Sequence, residues 1–389
     1  MISELASCGS VHAGELDRHV AQLAAAVAEH GHEVRIYTRQ TSEDLPRRVE
    51  NAGGVTVVNV RSGSPAPDGR DQLLPSVRSF GRWLAGSWHG SDWRPDVVHA
   101  HFWISGLAAL VAQASIRRPI VQTFHALDGH RRGYRWEPDT NAANRAILER
   151  VVGRQVDRVI AQSSPERSEL VALGVPRHRI ALIPSGVDTG VFAPDGPAAA
   201  RSGRQRVLAV GELAECSGFA DLVHALPRVP DAELVVVGGP PEAILPGDPV
   251  AQRLRQLAAT AGVANRVRLV GRVGFEELPE WYRSADVLAC TPWYEPFGLT
   301  ALEAMACGVP VVASAVGGLT DTVVHGVTGD LVRPRDPEQT GDATRRLLAD
   351  PIRRLGYGTA GADRARQRYQ WSRTADQVVA VYRAVSDVA

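Results

Sequence analysis

Short apolar runs alternate with longer amphipathic segments along nearly the whole chain. Runs rich in Val and Ile occur in the first half ("EVRIYTR", "VTVVNV", "VVHAHF", "PIVQTFH", "RVIAQS", "IALIPSG") and in the second ("RVLAVG", "ELVVVGG", "VRLVGRV", "DVLACT", "PVVASA"). Between them lie segments such as "ELDRHVAQLAAAVAEHG", whose apolar residues recur at three- and four-residue steps. Strands that are apolar on both faces and alternate with helices predict parallel sheets covered by helices on both sides.

A segment of different composition separates the two series of strands. It reads "FAPDGPAAARSGRQ" and is rich in Pro, Gly, Ala and Arg, which is typical of an interdomain linker. The chain of 389 residues suits two domains of ordinary size. We therefore predict a first domain over 1–190, a linker over 191–205 and a second domain over 206–370. In doubly wound domains, ligands bind beyond the carboxyl ends of the strands.

Composition excludes several classes of function. The 43 basic residues balance 43 acidic ones, so global charge gives no reason to expect nucleic acid or an acidic membrane as partner. All the basic residues are arginines, which excludes a Schiff-base lysine and a P-loop lysine. The four cysteines are scattered without a C-x-x-C pair, which favours buried thiols over disulfides or metal ligands. Without a long apolar run or a leader pattern, we expect a soluble, cytoplasmic protein.

The stretch "EPFGLTALEAMACG" places two glutamates eight residues apart, at Glu295 and Glu303. A helix is predicted to begin near Leu299 and to end at Gly308. The first-turn amides of Leu299 and Thr300 lack helical partners and can donate to an anion. Helical side chains lean toward the N-terminus, so Glu303 reaches the same turn. Because a carboxylate repels phosphate, a ribose diol suits Glu303, and Glu295 lies on the sugar side. The alternative is a capped helix with two solvated glutamates.

Further motifs surround the two glutamates. They are "VPRHRIALIPSGVDTGVFAPDG", "RVRLVGRV", "LPEWYRSADV" and "AVGGLTDTVVHGVTGDLV", together with "PDVVHAHFW" and "PIVQTFHAL" in the first half. With the E-x7-E element inside "EPFGLTALEAMACGVPVVAS", they make the chain resemble the retaining glycosyltransferases of family 4 over nearly its whole length. Sucrose-phosphate synthases and actinobacterial glycosyltransferases are the types that it resembles.

This resemblance implies an α/β structure of the GT-B fold, in which two Rossmann-like domains face a deep cleft. The second domain would bind a nucleotide-diphosphate sugar as co-substrate, and the first would present a small-molecule acceptor. The last helix, over 371–389, would return to the first domain. The activity implied is a hexosyltransferase that needs neither a cofactor nor a metal.

The resemblance also implies roles for individual residues. His125 and Glu295 would be catalytic, His125 lining the reacting centre and Glu295 contacting the donor sugar. Glu303 would bind the ribose, the amides after Gly298 a phosphate, and the loop at Arg272 and Val273 the base. The implied donor-binding set comprises Gly14, Arg272, Val273, Phe297, Gly298, Leu299, Thr300 and Glu303.

The histidines allow a structural interpretation as well. His125 could simply bond a neighbouring carbonyl, although its place at the carboxyl end of a strand favours function. His99 and His101 are expected to face opposite sides of one sheet, so a shared metal is not expected. No D-x-D element occurs in the sequence, which removes the divalent-cation donor site of the other large glycosyltransferase fold.

Two loops depart from the family's pattern. An arginine and a lysine normally follow the first strand of the second domain, but "VGELAECSG" has Glu212 and Ser217 there. An anion in place of a cation costs roughly several kcal/mol at a phosphate if nothing compensates. The usual Gly-Gly pair of the first domain is altered too, because Glu15 follows Gly14. "MISELAS" also opens with a shorter first strand than is usual, so the start is expected to lie upstream of Met1.

The loop that begins at His125, "HALDGHRRGYRWEPD", is the first candidate to supply the missing charge. Arg131 and Arg132 could bind phosphate and Asp128 an acceptor, although such loops are more often merely solvated. The sequence thus favours a working enzyme that transfers a sugar with retention by a front-face route, in a role that specialised biosynthesis would suit. The alternatives are a pseudo-glycosyltransferase with an unusual donor or acceptor, a non-catalytic ligand-binding paralogue, and, more weakly, a nucleotide-sugar epimerase.

Overall fold

The chain divides into two units, each built on its own β-sheet. The computed structural model describes residues 1–3, 15–51, 53–62, 74–127 and 142–387. The first unit comprises Met1–Gly186 with Trp371–Ala389, and the second comprises Val187–Gln370. The segment 191–205, which the sequence predicts as a linker, belongs to the second unit. The binding roles given to the two domains stay predictions.

In the first unit, strands and helices alternate in chain order except for the consecutive strands β1, β2 and β3. The elements are α1 (Glu15–Glu29), β1 (Val34–Arg39), β2 (Arg48–Glu50), β3 (Val55–Val60), α2 (Val77–His89), β4 (Val98–His101), α3 (Trp103–Gln113), β5 (Ile120–Thr123), α4 (Ala142–Gln155), β6 (Arg158–Ala161), α5 (Ser164–Ala172) and β7 (Ile180–Leu182). The helix over Trp371–Ser386, α13, completes this unit and shares a hydrophobic core with α1 and β1.

The sheet of the first unit has the order β2-β3-β1 on one side and β4-β5-β6-β7 on the other. All neighbouring strands are parallel except the edge pair β2 and β3. Ile2 joins the two groups, because it bridges to Tyr37 of β1 and to Ala100 of β4. The first chain residues thus lie between β1 and β4, which are not paired with each other.

Beside Ile2 lies a cavity of about 580 Å³. It is lined by Met1, by the first residues of β1 and β4, by Trp93 and by Tyr382 of α13. The α-amino group of Met1 lies beside β1 and donates a hydrogen bond to the carbonyl of Arg35 at 2.6 Å. The cavity therefore lies between the start of β1 and the start of β4, next to residues 1–3.

The second unit repeats the alternation without an interruption. Its elements are β8 (Gln205–Val210), α6 (Phe219–Ala225), β9 (Ala232–Val237), α7 (Pro249–Thr260), β10 (Val267–Gly271), α8 (Leu278–Arg283), β11 (Val287–Cys290), α9 (Leu299–Ala306), β12 (Val311–Ser314), α10 (Leu319–Thr322), β13 (Gly329–Val332), α11 (Pro337–Ala349) and α12 (Pro351–Arg368). The strands form one parallel sheet of order β10-β9-β8-β11-β12-β13.

This order is that of the doubly wound Rossmann-type sheet, with the direction of winding reversed between β8 and β11. Every residue of β9, β11 and β12 is buried, because helices cover both faces of the sheet. Separate hydrophobic clusters form on the two faces. The loops that follow β8 and β11 therefore meet at the switch point, where ligands bind in such sheets.

Within the described ranges, every helix is too short or too polar to span a bilayer. Cys290 and Cys307 are buried and take part in no disulfide within the described residues, and burial raises the pKa of Cys307 to about 12. This agrees with the expectation of inert, buried thiols for these two residues.

Candidate active site

Glu295 is held by the loop that it belongs to. The loop follows β11 at the switch point, and Oε1 of Glu295 accepts hydrogen bonds from the amides of Phe297 (3.1 Å) and Gly298 (2.9 Å). Burial raises the pKa of this carboxyl, and the two amide donors oppose that rise. The carboxylate is therefore fixed against the start of α9 rather than free in solvent.

Two glycines make this loop possible. Gly298 has φ 76°, in the left-handed region, and a side chain there would come within 3.0 Å of Thr322 Oγ1. Gly317, after β12, packs so closely on the loop that a Cβ would lie 1.9 Å from the Glu295 carbonyl oxygen. The amide of the next residue, Gly318, donates to that same carbonyl at 2.8 Å. The loop after β12 thus supports the backbone of Glu295.

Helix α9 begins at Leu299, as the sequence predicts. Its first hydrogen bond runs from the Leu302 amide to the Gly298 carbonyl, at 3.0 Å. The amides of Leu299 and Thr300 precede this bond and lie outside the helical ladder. They are suitable donors for an anion, and their assignment to a phosphate stays a prediction.

Glu303 lies one turn further along α9 and is 8% exposed. Its Oε2 accepts a hydrogen bond from the Tyr282 hydroxyl at 2.7 Å. Burial, and then the charge of Glu303, raise the pKa of Tyr282 well above its usual value, so the phenol stays protonated and donates. The solvated-glutamate alternative fails for Glu303, because its carboxylate is buried and partnered.

The loop after β8 carries Glu212 and Ser217, the two residues that stand where the family usually has an arginine and a lysine. Glu212 is exposed, and the hydroxyl of Ser217 donates to its backbone carbonyl at 2.7 Å. The loop is joined to the one after β11, since the Trp293 amide donates to the Cys216 carbonyl at 2.8 Å. The Trp293 indole N–H also donates to Asp221 Oδ2, at 3.2 Å. The two loops at the switch point are thus in direct contact.

Arg272 and Val273 follow β10 directly. The Arg272 amide donates to the Pro240 carbonyl at 3.0 Å, and its Nε donates to the Gly239 carbonyl at 3.3 Å. These bonds tie the end of β10 to the end of β9, on one side of the switch point. Their assignment to the nucleotide base stays a prediction.

His125 lies in the first unit, two residues after β5. Its φ of 63° is rare for a residue with a side chain, and such strain concentrates at functional positions. The side chain is 4% exposed, and Nε2 lies 2.9 Å from Nδ1 of His101. Burial holds the pKa of His125 well below its usual value, and the imidazoles of His19 and His99 lower it further. The ring is therefore neutral near pH 7.

The expectation that His99 and His101 face opposite sides of the sheet is wrong. Residues two apart on a strand share one face, and the two ring centroids are 4.1 Å apart. The nitrogens of His99 lie 2.7 Å from the Tyr382 hydroxyl and 2.8 Å from Thr123 Oγ1. His101, by contrast, points its Nδ1 at His125.

His19 of α1 completes a cluster of buried imidazoles, which we call the histidine cluster (His19, His99, His101, His125). The His19 ring lies edge-on to that of His125 with centroids 4.8 Å apart, and its Nδ1 is 2.9 Å from Ser185 Oγ. Burial lowers the pKa of His19 to about 3, and it lowers those of His99 and His101 well below their usual value.

In the described part of the chain, His19, His101 and His125 are also the group whose ligand atoms could hold a metal ion. These atoms lie within 4.8 Å of one another. Nitrogens of a tetrahedral zinc site are closer, at about 3.3 Å for Zn–N bonds of about 2.0–2.1 Å. Two of the three nitrogens already share a hydrogen bond. That no metal is needed stays a prediction.

Some of the predicted site residues lie outside the described residues. Other residues belong to the site in the structure but were not predicted from the sequence. Gly14, Asp128, Arg131 and Arg132 are in the first group. The second group comprises Tyr282, His19, His101 and Gly317. A polar residue on the buried face of α1 was the available signal for His19, and the spacing of two on β4 was the signal for His101.

Known proteins resemble both units. A family model described as "Glycosyl transferase 4-like domain" matches residues 14–186, and one described as "Glycosyl transferases group 1" matches residues 204–350. The D-inositol 3-phosphate glycosyltransferase of Geodermatophilus obscurus is 35% identical over 99% of this chain and 88% of its own length. The enzyme of the same name from Xylanimonas cellulosilytica is 36% identical over 98% of this chain and 94% of its own length.

Solved structures agree with these matches. Sucrose-phosphate synthase from Thermosynechococcus elongatus superposes with a TM-score of 0.89 at 28% identity, over 100% of this chain and 98% of that one. The Anabaena protein HepE, in complex with UDP and glucose, has a TM-score of 0.75 at 18% identity over 98% of each chain, which supports the fold alone. The two Rossmann-like units and these relatives together show that the chain belongs to family 4 of the glycosyltransferases, with the GT-B fold.

Proposed function

We propose that the protein transfers a hexosyl group from a nucleotide-diphosphate sugar to a small-molecule acceptor, with retention at the anomeric carbon. The second unit binds the donor, and the first presents the acceptor. The transfer proceeds without a metal or another cofactor, which the absence of a D-x-D element from the sequence supports. The observation that carries this proposal is the geometry of the Glu295 loop and α9.

Donor binding follows from the order of groups along α9. The amides of Leu299 and Thr300 offer donors to phosphate oxygens at the helix start, where the helix dipole favours negative charge. Glu303 lies one turn on, with its carboxylate buried against Tyr282, in a position that suits the hydroxyls of a ribose. Glu295 is held on the other side of the helix start and suits the hydroxyls of the sugar.

Retention by a front-face route is supported by how Glu295 is held. A nucleophilic carboxylate needs an oxygen poised for attack at the anomeric carbon. Oε1 of Glu295 accepts hydrogen bonds from two backbone amides, which hold the carboxylate against its own loop and suit it to accept hydrogen bonds from sugar hydroxyls. We therefore assign Glu295 to holding the sugar, and not to a covalent intermediate.

For the acceptor we propose a polyhydroxylated small molecule. Relatives that match over 98–99% of this chain are named for D-inositol 3-phosphate, which makes it the first acceptor to test. Glu212 at the atypical position favours a second candidate, a paralogue that binds ligand without turnover, because its charge opposes a diphosphate.

The test is an assay of hydrolysis and transfer with UDP-, GDP- and dTDP-sugars, each with and without inositol 3-phosphate. We expect one nucleotide to support transfer, with an α-linked product from an α-linked donor by NMR. Transfer that persists in EDTA supports the metal-free route. Binding of a nucleotide by calorimetry without any turnover would favour the second candidate, and an inverted product would contradict retention.

A further inference from the structure

A diphosphate donor needs positive charge at the sheet edge of the second unit, and few residues there can supply it. In a parallel sheet, the loops that follow the strands all lie at one edge, where ligands bind. These loops span 211–218, 238–248, 272–277, 291–298, 315–318 and 333–336. All of their residues are described, and their only cations are Arg272, Arg333 and Arg335. These three arginines are therefore the candidates to replace the charge that the loop after β8 lacks.

Two of the three arginines are already engaged by the protein. Nε of Arg272 donates to the Gly239 carbonyl at 3.3 Å, on the side of the sheet that β9 and β10 form. Nη2 of Arg333 pairs with Asp336 Oδ2 at 2.9 Å, and the Arg333 side chain is 79% exposed. The guanidinium of Arg335, by contrast, has no ion pair and no hydrogen bond among the described residues. Its N–H donors are therefore open to a ligand.

Arg335 lies against the loop that carries Glu295. Its Cζ is 4.5 Å from the centroid of the Trp293 ring, and Trp293 precedes Glu295 by two residues. Trp293 also contacts the loop after β8, because its amide donates to the Cys216 carbonyl. A guanidinium that stacks on an indole keeps its N–H edge open, so it can bind a phosphate at the same time. The stack on Trp293 thus places a free cation beside the two loops of the switch point.

The backbone of Arg335 is strained in a way that favours a functional role. Its φ of 58° lies in the left-handed region, which disfavours residues with a Cβ. In the second unit, which is described throughout, Arg335 is the only residue other than glycine with such a φ. Strain of this kind concentrates at ligand-binding positions. The chain thus has an arginine where the backbone alone favours glycine.

We propose that Arg335 binds the diphosphate of the donor and replaces the cations that are missing at Glu212 and Ser217. The stacked guanidinium offers two parallel N–H donors to phosphate oxygens, in addition to the amides at the start of α9. The negative charge of Glu212 is tolerated because positive charge arrives from the loop after β13. This inference rests on the proposed donor, and not on the acceptor or on turnover.

The first experiment is calorimetric titration of the wild type, Arg335→Gln and Arg333→Gln with UDP, GDP and dTDP. We expect Arg335→Gln to bind the preferred nucleotide about tenfold more weakly, because a charge-assisted bond to phosphate is lost. Arg333→Gln is the matched control, since it removes the same charge from the same loop. Its affinity should change less than about twofold, because Arg333 is exposed and already paired.

The outcomes separate this inference from the proposed function. If the wild type binds a nucleotide and Arg335→Gln binds it equally well, Arg335 is not the phosphate ligand. An equal loss in Arg333→Gln would show a general effect of loop charge and would also overturn the inference. A wild type that binds none of the three nucleotides would overturn the proposed donor, and this inference with it.

The second experiment distinguishes phosphate binding from mere support of the loop by the stack. The difference in affinity between the wild type and Arg335→Gln should shrink as sodium chloride is raised, because salt screens the charge. Ser217→Lys, added to Arg335→Gln, supplies a cation at the family's usual place and should recover most of the lost affinity. A loss that is independent of salt and is not recovered by Ser217→Lys would assign Arg335 to loop stability and overturn the proposal.

Discussion

The two units hold their candidate functional side chains in opposite ways. In the second unit, two carboxylates are each held by a protein donor, Glu295 by backbone amides and Glu303 by Tyr282. In the first unit, four imidazoles pack together, His101 and His125 share a hydrogen bond, and burial keeps the rings neutral. Burial disfavours charge in both, which raises the pKa of Glu295 and lowers those of the histidines. The comparison shows that hydrogen bonds from backbone amides counteract the effect of burial on the carboxylate of Glu295. In the histidine cluster the effect of burial dominates, and the rings remain uncharged.

The largest expected effect is acid sensitivity of the first unit. The folded-state pKa values of the histidine cluster lie below the ordinary 6.5, so the unfolded chain binds more protons. Stability is therefore lost as the pH falls below about 6.5, by up to about 1.4 kcal/mol per pH unit for each histidine. For His19, the loss continues down to its folded pKa of about 3. Glu295 acts in the opposite direction, because its raised pKa lets the folded state gain a proton.

Thermal unfolding between pH 7.5 and 5.0 measures this slope. We expect the melting temperature to fall steeply below pH 6.5 and the slope of stability with pH to be shallower in His19→Gln. Proton uptake on unfolding, measured by calorimetry in two buffers, should be smaller by about one proton in that variant. A slope that is the same in wild type and variant would mean that His19 is not neutral in the folded state.

The next largest effect is expected from Glu295→Gln. An amide keeps the size of the side chain but loses the charge to which we assign the binding of sugar hydroxyls in the transition state. We expect kcat to fall by roughly 10²-fold, with a small change in the affinity for nucleotide. Initial rates and calorimetric titration with the nucleoside diphosphate separate the two quantities. If nucleotide affinity fell and kcat did not, Glu295 would act in binding the nucleotide and not in the transition state.

A smaller effect, on nucleotide affinity and not on kcat, is expected from Glu303→Gln. The carboxylate suits a ribose diol, so its loss should weaken nucleotide binding by about tenfold and change kcat little. Tyr282→Phe is the matched control, because it removes the hydroxyl donor and keeps the carboxylate. Equal effects of the Glu295 and Glu303 substitutions on both quantities would remove the distinction between their roles.

The smallest effect concerns the loop after β8. Replacing Glu212 by Arg and Ser217 by Lys restores the charges that the family usually has. Because Glu212 is exposed, solvent screens much of the gain, and we expect nucleoside diphosphates to bind about threefold to tenfold more tightly. The gain should shrink as salt rises in titrations with UDP and GDP. Unchanged affinity for both would mean that positive charge reaches the phosphates from elsewhere.

The sequence predicts the fold well because its signals are local. Each Val- and Ile-rich run became a strand, and α9 begins at Leu299 as its loop indicates. Strand β2 was not predicted, since it is a short exposed edge, and β13 lacks a long apolar run. The prediction that His99 and His101 face opposite sides is wrong because residues two apart on a strand lie on the same face.

The site was harder to predict because its contacts join distant parts of the chain. The partner of Glu303 is Tyr282 on another helix, and the neighbour of His125 is His101 on another strand. No local pattern specifies such pairs, whereas the loop geometry of Glu295 depends on residues directly after it. The E-x7-E spacing therefore located both carboxylates without revealing what holds either of them.

The cavity beside Ile2 has a consequence for how the protein is prepared. The amino group of Met1 lies between β1 and β4, so an affinity tag fused to it must leave along the cavity. A protease site placed directly before Met1 would lie within the sheet and resist cleavage. A spacer of roughly five extended residues, at about 3.3 Å each, would carry the cleavage site beyond the strand edges.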